Sequence, residues 1–373
     1  MNSRYNFQEG QIKASFGGEN LTEFRSLINS NTSFTTLGMP GVGVSYFLRF
    51  LAMQNFAYFI HLDMYSLHAL TKLEFWKLFL RELRGDAALK SEDQIITDIK
   101  EKLTHLAENE AKIVIIFNRF DQLQKEFNLT FFANIRSLRN IASDKITFIF
   151  TANKPLYELS PEAISGPNLN FYSKYLYFKP YSKQDLKKLS KFHPNSHSSE
   201  RLDDLIELSG GHAQLLSVLL NSQKQENLLL DHFVRLQMKE LLGFLSYHQK
   251  KQVEKIGLGK NLTEVDDYLL GVGLVKKEGS GYRLFTPLLE EYIKTNLPLR
   301  LSHNEAKLFK LLRKNEGRIV PEDEIFKEVW GSSRIASDWA LDALIYRLRR
   351  NPTFSSQYAI ESHKKQGFSL ISL

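Results

Sequence analysis

One glycine-rich segment of the chain has the spacing of a phosphate-binding loop. Residues 38–45 read Gly-Met-Pro-Gly-Val-Gly-Val-Ser, which follows the pattern G-x-x-x-x-G-K-[ST] except at one position. In a working loop, backbone N–H groups hold phosphate, the lysine reaches the β- and γ-phosphates, and the hydroxyl binds Mg²⁺. Gly38, Gly41, Gly43 and Ser45 are present, but Val44 stands where the lysine should be. The segment therefore predicts a phosphate-binding turn without its cation.

The elements around this loop fit an α/β domain. A strand is predicted over 33–37 and a helix over 45–52, which is the context that a phosphate loop requires. Further apolar strands are predicted over 57–63, 112–117 and 146–151, with helical patterns between them, for example over 73–83. Strands that alternate with helices predict a parallel sheet. A glycine turn in an unrelated α/β domain remains an alternative at this point.

Composition excludes several kinds of chemistry. The 373 residues include no cysteine, so disulfides, thiolate catalysis and zinc–thiolate sites are ruled out. A hydrophobic fraction of 43% and a charged fraction of 24% are typical of a soluble globular protein, and the length predicts two or three domains. The first residues lack the apolar core of a signal peptide, and no run approaches 18 apolar residues. We therefore expect a cytoplasmic protein with no membrane partner.

Several short motifs resemble, in their order and spacing, those of the STAND and archaeal-type ATPases, relatives of the AAA+ and origin-recognition ATPases. The motifs lie at 16–19 before the first helix, at 151–153 with Asn153 as the sensor 1 residue, at 178–182 where a lid begins, at 208–213 in an S-G-G-[HN]-P-like turn, and at 282–288 in a small winged helix. The resemblance covers about residues 10 to 296. It implies a P-loop ATPase-like domain, a helical lid and an internal winged helix.

The resemblance also implies where the catalytic acids should stand, and this chain departs from the pattern there. Asn118 occupies the position of the magnesium-binding aspartate, and an amide cannot offset a divalent cation as a carboxylate does. Arg119 occupies the position of the acid that activates water, and a guanidinium cannot act as a base. Asp121 is retained, in a position that usually serves structure. With Val44, three charged roles are lost together, which predicts a pseudo-ATPase with no catalytic residue and no metal site.

The predicted degenerate nucleotide site comprises Gly38, Gly41, Gly43, Val44, Ser45, Asn118, Arg119, Asp121 and Asn153. No cofactor is expected, although weak binding of ATP or ADP stays open. Backbone N–H groups at a helix N-terminus can hold phosphate without a lysine, and the Ser45 hydroxyl could still donate a hydrogen bond.

The last fifth of the chain is basic and mainly helical. Residues from Arg300 onward carry 13 Lys/Arg against 9 Asp/Glu, so +4 of the net charge of +7 lies there. Ser302 followed by Glu305 predicts a capping box that opens a helix. The predicted elements are helices over 305–313, 321–329 and 338–350, then a hairpin of 359–362 with 368–371. A basic end of this kind suggests a polyanionic partner.

This order of elements, with the patterns L-[ST]-x-x-E, V-[SP]-x-x-x-L-x-x-x-V-W and a helix ending in L-R, resembles the OmpR/PhoB-type winged helix-turn-helix. The resemblance implies that helix 338–350 enters the major groove and that the hairpin tip meets the DNA backbone or minor groove. The predicted DNA contacts are Ser337, Trp339, Ala343, Tyr346, Arg347 and Arg350 on the helix and Lys364 and Lys365 on the hairpin. Asp338 and Asp342 place negative charge on the same helix. A winged helix that contacts protein is the alternative.

Together these patterns predict an α/β P-loop NTPase-like domain with a parallel sheet, a helical lid, an internal winged helix and a second, C-terminal winged helix. The predicted domains are 1–178, 179–245, 246–297 and 298–373. The predicted function is that of a DNA-binding regulatory or scaffold protein with an inactive ATPase-like module. The predicted partners are double-stranded DNA and, through that module, a protein partner or a second copy. Two alternatives stay open: a nucleotide-binding switch without efficient hydrolysis, and a protein-interaction adaptor in a multi-component complex.

Overall fold

The computed structural model describes residues 16–191, 198–223, 227–296, 301–331, 338–355, 358–364 and 366–372. The strands are β1 (Phe34–Leu37), β2 (Tyr58–Asp63), β3 (Ile113–Asn118), β4 (Ile146–Ala152), β5 (Tyr175–Tyr177), β6 (Val275–Glu278), β7 (Gly281–Leu284), β8 (Tyr358–His363) and β9 (Gly367–Ser372).

The helices are α1 (Gly18–Asn29), α2 (Val44–Ala52), α3 (Lys72–Glu82), α4 (Glu92–Asn109), α5 (Leu129–Arg139), α6 (Leu156–Leu159), α7 (Pro167–Tyr172), α8 (Lys183–Ser190), α9 (Ser199–Leu208), α10 (Ala213–Asn221), α11 (His232–Gly243), α12 (Tyr247–Gly257), α13 (Asp267–Gly271), α14 (Pro287–Asn296), α15 (His303–Lys314), α16 (Glu322–Trp330), α17 (Asp338–Arg350) and α18 (Pro352–Ser355).

The chain forms two compact units. The first comprises the residues up to Leu245 together with Asp266–Val275, and the second comprises Ser246–Val265 and Lys276–Leu373. The predicted internal winged helix is thus divided between the units, because α13 belongs to the first unit and α12 and α14 to the second. The predicted division into four domains stays a prediction.

A five-stranded parallel sheet forms the centre of the first unit, in the order β2-β3-β4-β1-β5. Every residue of β3 and β4 is buried, which explains why these strands are continuous apolar runs in the sequence. The predicted α/β fold and its first four strands are confirmed. No strand was predicted at β5, an edge strand of three residues paired with β1.

Aromatic rings anchor the carboxyl end of β3. Phe117 stacks on Phe150 with ring centroids 4.9 Å apart and an interplanar angle of 10°, and Phe75 lies 5.8 Å from Phe117. Phe120 lies 5.0 Å from Phe150 and 6.0 Å from Phe131. Because Phe117 and Phe120 are both fully buried, the two residues between them have little freedom to move. Those two residues are Asn118 and Arg119.

In the lid region, apolar residues at helical spacing from Leu228 to Leu245 predict one continuous helix. The structure interrupts it, and that prediction is wrong. Residues Leu228–Leu230 form one 3-10 turn, and α11 starts two residues later. Asp231 separates them because its carboxylate caps α11, accepting hydrogen bonds from Phe233 N at 2.8 Å and Val234 N at 3.4 Å. An N-cap residue has non-helical dihedrals, so a helix cannot run through it. The apolar periodicity continues through Asp231 and therefore does not indicate where the helix begins.

At the C-terminus, three helices and a hairpin enclose a separate apolar core. Ser302 and Glu305 form the predicted capping box, with Ser302 N donating to the Glu305 carboxylate at 2.8 Å. Helices α15, α16 and α17 follow the predicted order, and β8 pairs with β9 antiparallel. Val320 exchanges two backbone hydrogen bonds with Phe368, at 2.8 and 3.0 Å. This short bridge fixes the hairpin to the segment that joins α15 and α16.

We expect Gly367→Ala to destabilise the C-terminal domain by roughly 2–4 kcal/mol. Gly367 has φ +128°, and a Cβ there would overlap the backbone of Val320. The matched control is Gly331→Ala at the end of α16, where φ is +83° but nothing lies within 4 Å of the added carbon. That control should lose about 1–2 kcal/mol from its backbone conformation alone. Urea denaturation of both variants tests this, and equal losses would contradict it.

Candidate functional site

The glycine loop lies between β1 and α2, in the predicted strand–loop–helix order. Gly41 and Gly43 have φ of +76° and +112°, and Gly43 is the N-cap of α2. Val44 is the first residue of that helix, and a Cβ on Gly38 would lie 3.1 Å from its side chain. Gly38 therefore leaves room for the partly buried Val44 side chain at the position where the pattern has a lysine.

The loop is covered by residues of the lid, a contact that the sequence did not predict. Four consecutive loop carbonyls face lid groups. They are Pro40 O with His212 Nε2 at 2.8 Å, Gly41 O with Gln214 N at 3.0 Å, Val42 O with Ala213 N at 3.4 Å, and Gly43 O with the Tyr181 hydroxyl at 2.8 Å. A Cβ on Gly43 would approach Tyr181 Cε2 to 2.5 Å, and one on Gly41 would overlap Gln214. Both glycines thus leave room for the lid as well as for the turn.

His212 joins the lid to the loop in one tautomer. Its Nδ1 accepts a hydrogen bond from Leu215 N at 3.1 Å and thereby caps α10. Because Pro40 O can only accept, Nε2 carries the proton. Burial lowers the pKa of His212 to about 4, against which its bond to Pro40 acts in the opposite direction. The ring is therefore neutral at physiological pH, with both nitrogens satisfied.

The structure brings together Ser45, Asn118 and Arg119, as the predicted nucleotide site requires. Asn118 is buried, and its Nδ2 donates to Ser45 Oγ at 3.1 Å. Its Oδ1 accepts from Thr151 Oγ1 at 3.1 Å. Arg119 Nη1 also donates to Ser45 Oγ, at 3.2 Å. The hydroxyl that would bind Mg²⁺ is consequently engaged by two nitrogen donors of the chain itself.

Arg119 forms an ion pair with Asp63, the last residue of the neighbouring strand β2. Nε donates to one carboxylate oxygen at 3.0 Å and Nη2 donates to the other. The guanidinium carbon lies 3.8 Å from the centroid of the Tyr65 ring, within cation–π range. Arg119 has φ +58°, a left-handed conformation that is uncommon for a residue with a side chain. Its backbone N–H donates to Thr151 Oγ1 at 2.6 Å.

Asp121 and Asn153 lie at the same end of the sheet and contact each other. Asn153 N donates to the Asp121 carboxylate at 3.0 Å, and the Tyr268 hydroxyl donates to Asn153 O. Burial raises the pKa of Asp121, although the bond from Asn153 opposes that shift. These contacts connect two strand ends and α13, so the geometry gives both residues a positioning role.

The residues present do not fit the ATP–Mg²⁺ chemistry that a P-loop fold implies. Both oxygens of Asp63 bind Arg119, and Asn118 supplies no charge. Within the described ranges, no group of three or more His, Asp or Glu side chains could hold a metal ion. Asp63, Tyr65 and Gln214 were not singled out from the sequence, and Tyr181 was noted only as part of the motif at 178–182. Lateral neighbours in a sheet and contacts across the lid leave no local pattern.

The predicted DNA surface lies on α17 and on the β8–β9 hairpin. Trp339 and Tyr346 are 79% and 57% exposed, and the Arg350 guanidinium lies 5.2 Å from the Tyr346 ring. Ala343, which lies between Trp339 and Tyr346 in the helix, is half-buried. Lys364 is exposed near the hairpin tip. Helical spacing places residues 339, 343, 346 and 350 along one side of the helix. Ser337 and Lys365 lie outside the described residues.

Two arginines of α17 have structural partners. Arg347 Nε lies 3.3 Å from the carboxylate of Glu305, the capping-box residue of α15. Arg349, which was not predicted, donates to Ile360 O and to Ser362 Oγ, both at 2.8 Å, and so joins α17 to β8. A cleft of about 420 Å³ between α17 and the hairpin is lined by both acids and bases, among them Asp342 and Lys364.

A comparison with known protein families identifies the C-terminal domain. Residues 296–370 match the family model described as "Transcriptional regulatory protein, C terminal". The chain therefore carries an OmpR/PhoB-type winged helix at this end. No curated protein matches the sequence. Among the described residues, no helix is long and apolar enough to cross a membrane.

Several solved structures are similar in fold to this chain. A Walker-type ATPase of Pyrococcus abyssi has a TM-score of 0.50 and 16% identity, over 74% of this chain and 95% of its own. The Aeropyrum pernix ORC1 protein in complex with DNA gives 0.40 and 10%, over 94% and 87% of the two chains. Cdc6p of Pyrobaculum aerophilum gives 0.41 and 12%, over 96% and 92%. The Pyrococcus abyssi structure shows a shared P-loop NTPase fold.

We expect the first unit to lose stability as the pH falls from 6.5 towards 4. Burial also lowers the pKa of His61 to about 4, with Arg49 and Arg119 acting in the same direction and Asp63 opposing them. Below pH 6.5 the unfolded chain binds protons at His61 and His212 that the folded chain does not bind, so the stability present above that pH is lost. The loss should be on the order of 2–3 kcal/mol for His212.

Urea denaturation at several pH values between 4 and 7 measures this loss. His212→Asn keeps an N-cap acceptor but removes the ring. The slope of its free energy of unfolding against pH should therefore be smaller than that of the wild type by the contribution of one proton. An unchanged pH dependence in this variant would contradict the assignment of a neutral His212.

Proposed function

We propose that the protein is a DNA-binding regulator whose ATPase-like module is catalytically inactive and serves as a scaffold or assembly surface. The observation that carries the DNA-binding part is the match of residues 296–370 to a transcriptional-regulator domain. Within it, α17 presents Trp339, Tyr346 and Arg350 on one exposed side. The winged helix would select the DNA site, and the module would bring a protein partner or a second copy to it.

The surface of α17 suits duplex DNA. Arginine can bind guanine in the major groove or hold phosphate, and exposed aromatic rings can contact thymine methyl groups. Lys364 on the hairpin would contact the phosphate backbone, which fixes orientation without reading sequence. Arg347 contributes less in this proposal, because the Glu305 carboxylate already neutralises part of its charge.

The inactivity of the module is supported by the chemistry of three positions. Val44 supplies no charge for the β- and γ-phosphates, and Asn118 supplies none for a metal. Arg119 cannot take a proton from water, and its guanidinium is held by Asp63 and Ser45. Each of these roles supports the transition state of phosphoryl transfer, so losing all three leaves no group to activate the attacking water.

We expect Arg350→Ala/Lys364→Ala to weaken duplex binding at least tenfold at physiological salt. Removing two phosphate contacts should also lower the slope of log affinity against log salt by about 1.8. Fluorescence anisotropy with a labelled duplex at four salt concentrations measures both quantities.

The control for this experiment is Lys100→Ala/Lys125→Ala, which removes the same charge from exposed positions of the first unit. It should bind like the wild type. If the full-length protein shows no duplex binding at low salt, the winged helix is a protein-contact module and the adaptor alternative is favoured.

A second candidate function is a nucleotide-binding switch. The observation in its favour is the pair of left-handed glycines, Gly41 and Gly43, before α2, since such a backbone turn can bind anions. The lid contacts of the same loop argue against it. The two candidates differ in what ATP does to the stability of the protein.

We expect millimolar ATP with Mg²⁺ to leave the thermal midpoint of the protein unchanged and to release no phosphate. A ligand present at 100 times its dissociation constant would stabilise the folded state by about 2.7 kcal/mol, which is easily detected as a rise in the midpoint. Such a rise without phosphate release would favour the switch, and phosphate release would overturn inactivity.

A further inference from the structure

We propose that the Arg119 guanidinium is a tethered cation that takes the place of the divalent metal in this P-loop fold. The inference rests on the proposed inactivity of the module but goes further, because it assigns a role to the residue that replaced the catalytic acid. It is carried by the oxygen atoms that surround the guanidinium and by the backbone that holds it there.

The groups around Arg119 are those that a hard cation prefers. Magnesium and calcium take oxygen ligands from carboxylates, amides and hydroxyls. The guanidinium donates to both carboxylate oxygens of Asp63 and to Ser45 Oγ. Ser45 stands at the hydroxyl position that binds Mg²⁺ in a working loop. One positive charge of the chain thus lies among the oxygens where a metal would be expected.

The register of β2 and β3 places the residues of this site next to each other. In the sheet, Asp63 lies directly opposite Asn118, so the last residues of β2 and β3 are lateral neighbours. The Asp63 side chain is only 11% exposed. A carboxylate with so little exposure would carry a large desolvation penalty if it had no cation beside it. Arg119 follows Asn118 immediately and is therefore within reach to neutralise that carboxylate.

The backbone of Arg119 is held in an unusual conformation that directs the side chain to this place. Its left-handed φ of +58° would be unfavourable in isolation. The bond from its N–H to Thr151 Oγ1 and the buried rings of Phe117 and Phe120 on either side maintain it. Strained residues persist where the surroundings determine them, often at functional sites. The face of Tyr65 covers the outer side of the guanidinium at 3.8 Å.

A tethered cation has a consequence for metal binding. A divalent ion could bind these oxygens only by displacing the guanidinium, because two positive charges that share the same ligands would repel each other. The site should therefore reject metal while Arg119 is present, accept it weakly once the guanidinium is removed, and accept it more tightly once a second carboxylate is also supplied at position 118.

The test uses Mn²⁺ alone, without nucleotide or DNA, and follows the free ion by electron paramagnetic resonance. The wild type should bind no Mn²⁺ at this site up to 1 mM. Asn118→Asp/Arg119→Gly removes the guanidinium, keeps a residue suited to the left-handed backbone and adds a carboxylate. This variant should bind one Mn²⁺ at least tenfold more tightly than the wild type, and Mg²⁺ should raise its thermal midpoint by several degrees.

Three matched variants complete the test. Asn118→Asp alone keeps the guanidinium and should gain no site. Arg119→Lys keeps a positive charge and should also gain none. Asp63→Asn in the double variant should remove the gained site. If Asn118→Asp alone binds Mn²⁺ as tightly as the double variant, or if wild type binds it through Asp63, the proposal is overturned.

If the double variant does not fold, Arg119→Gly alone keeps the proposal testable. This variant should be less stable than wild type by several degrees and should regain part of that loss in Mg²⁺, whereas a purely structural role would give a loss that metal does not reverse. Because no nucleotide is present, failure of this experiment leaves the proposed inactivity standing, and phosphate release by the wild type would overturn inactivity separately.

Discussion

The parallel register of β2 and β3 brings the largely buried Asp63 carboxylate to the end of the sheet, and the polar side chains of Arg119, Ser45 and Asn118 are arranged around its neutralisation. Asp63 and Arg119 are adjacent because their strands end at the same level. Breaking one partner of such a pair is costly, since the other charge remains buried. Asn118 and Thr151 complete a connected polar network in which each hydroxyl or amide has a partner. Such a network is stable when every member is satisfied.

In the glycine loop, too, polar groups are satisfied by partners within the protein, here by residues of the lid. Tyr181 and His212 of the lid bind the loop carbonyls directly. The glycines that permit a close approach of phosphate also permit a close approach of protein. In the arrangement described, the loop serves as a joint between the sheet and the lid helices.

Much of the fold could be predicted from the sequence, because buried parallel strands and the capping box of Ser302 and Glu305 leave local patterns. The glycine loop and the polar residues 118 and 119, which contact Ser45 of that loop, were also singled out in this way. The roles of Asp63 and Arg349 could not be, since each depends on a neighbour brought near by the fold. The break at Asp231 was missed because apolar periodicity continued through an N-cap.

The bond network of Arg349 has a consequence for how the winged helix would meet a ligand. Because this side chain joins α17 to Ile360 and Ser362 of β8, and Val320 joins β9 to the preceding segment, the helix and the two strands of the hairpin are held together by the fold itself. The conformational entropy of placing them is then lost when the domain folds and not when it binds. Such preorganisation leaves more of the contact energy available for discrimination between sites.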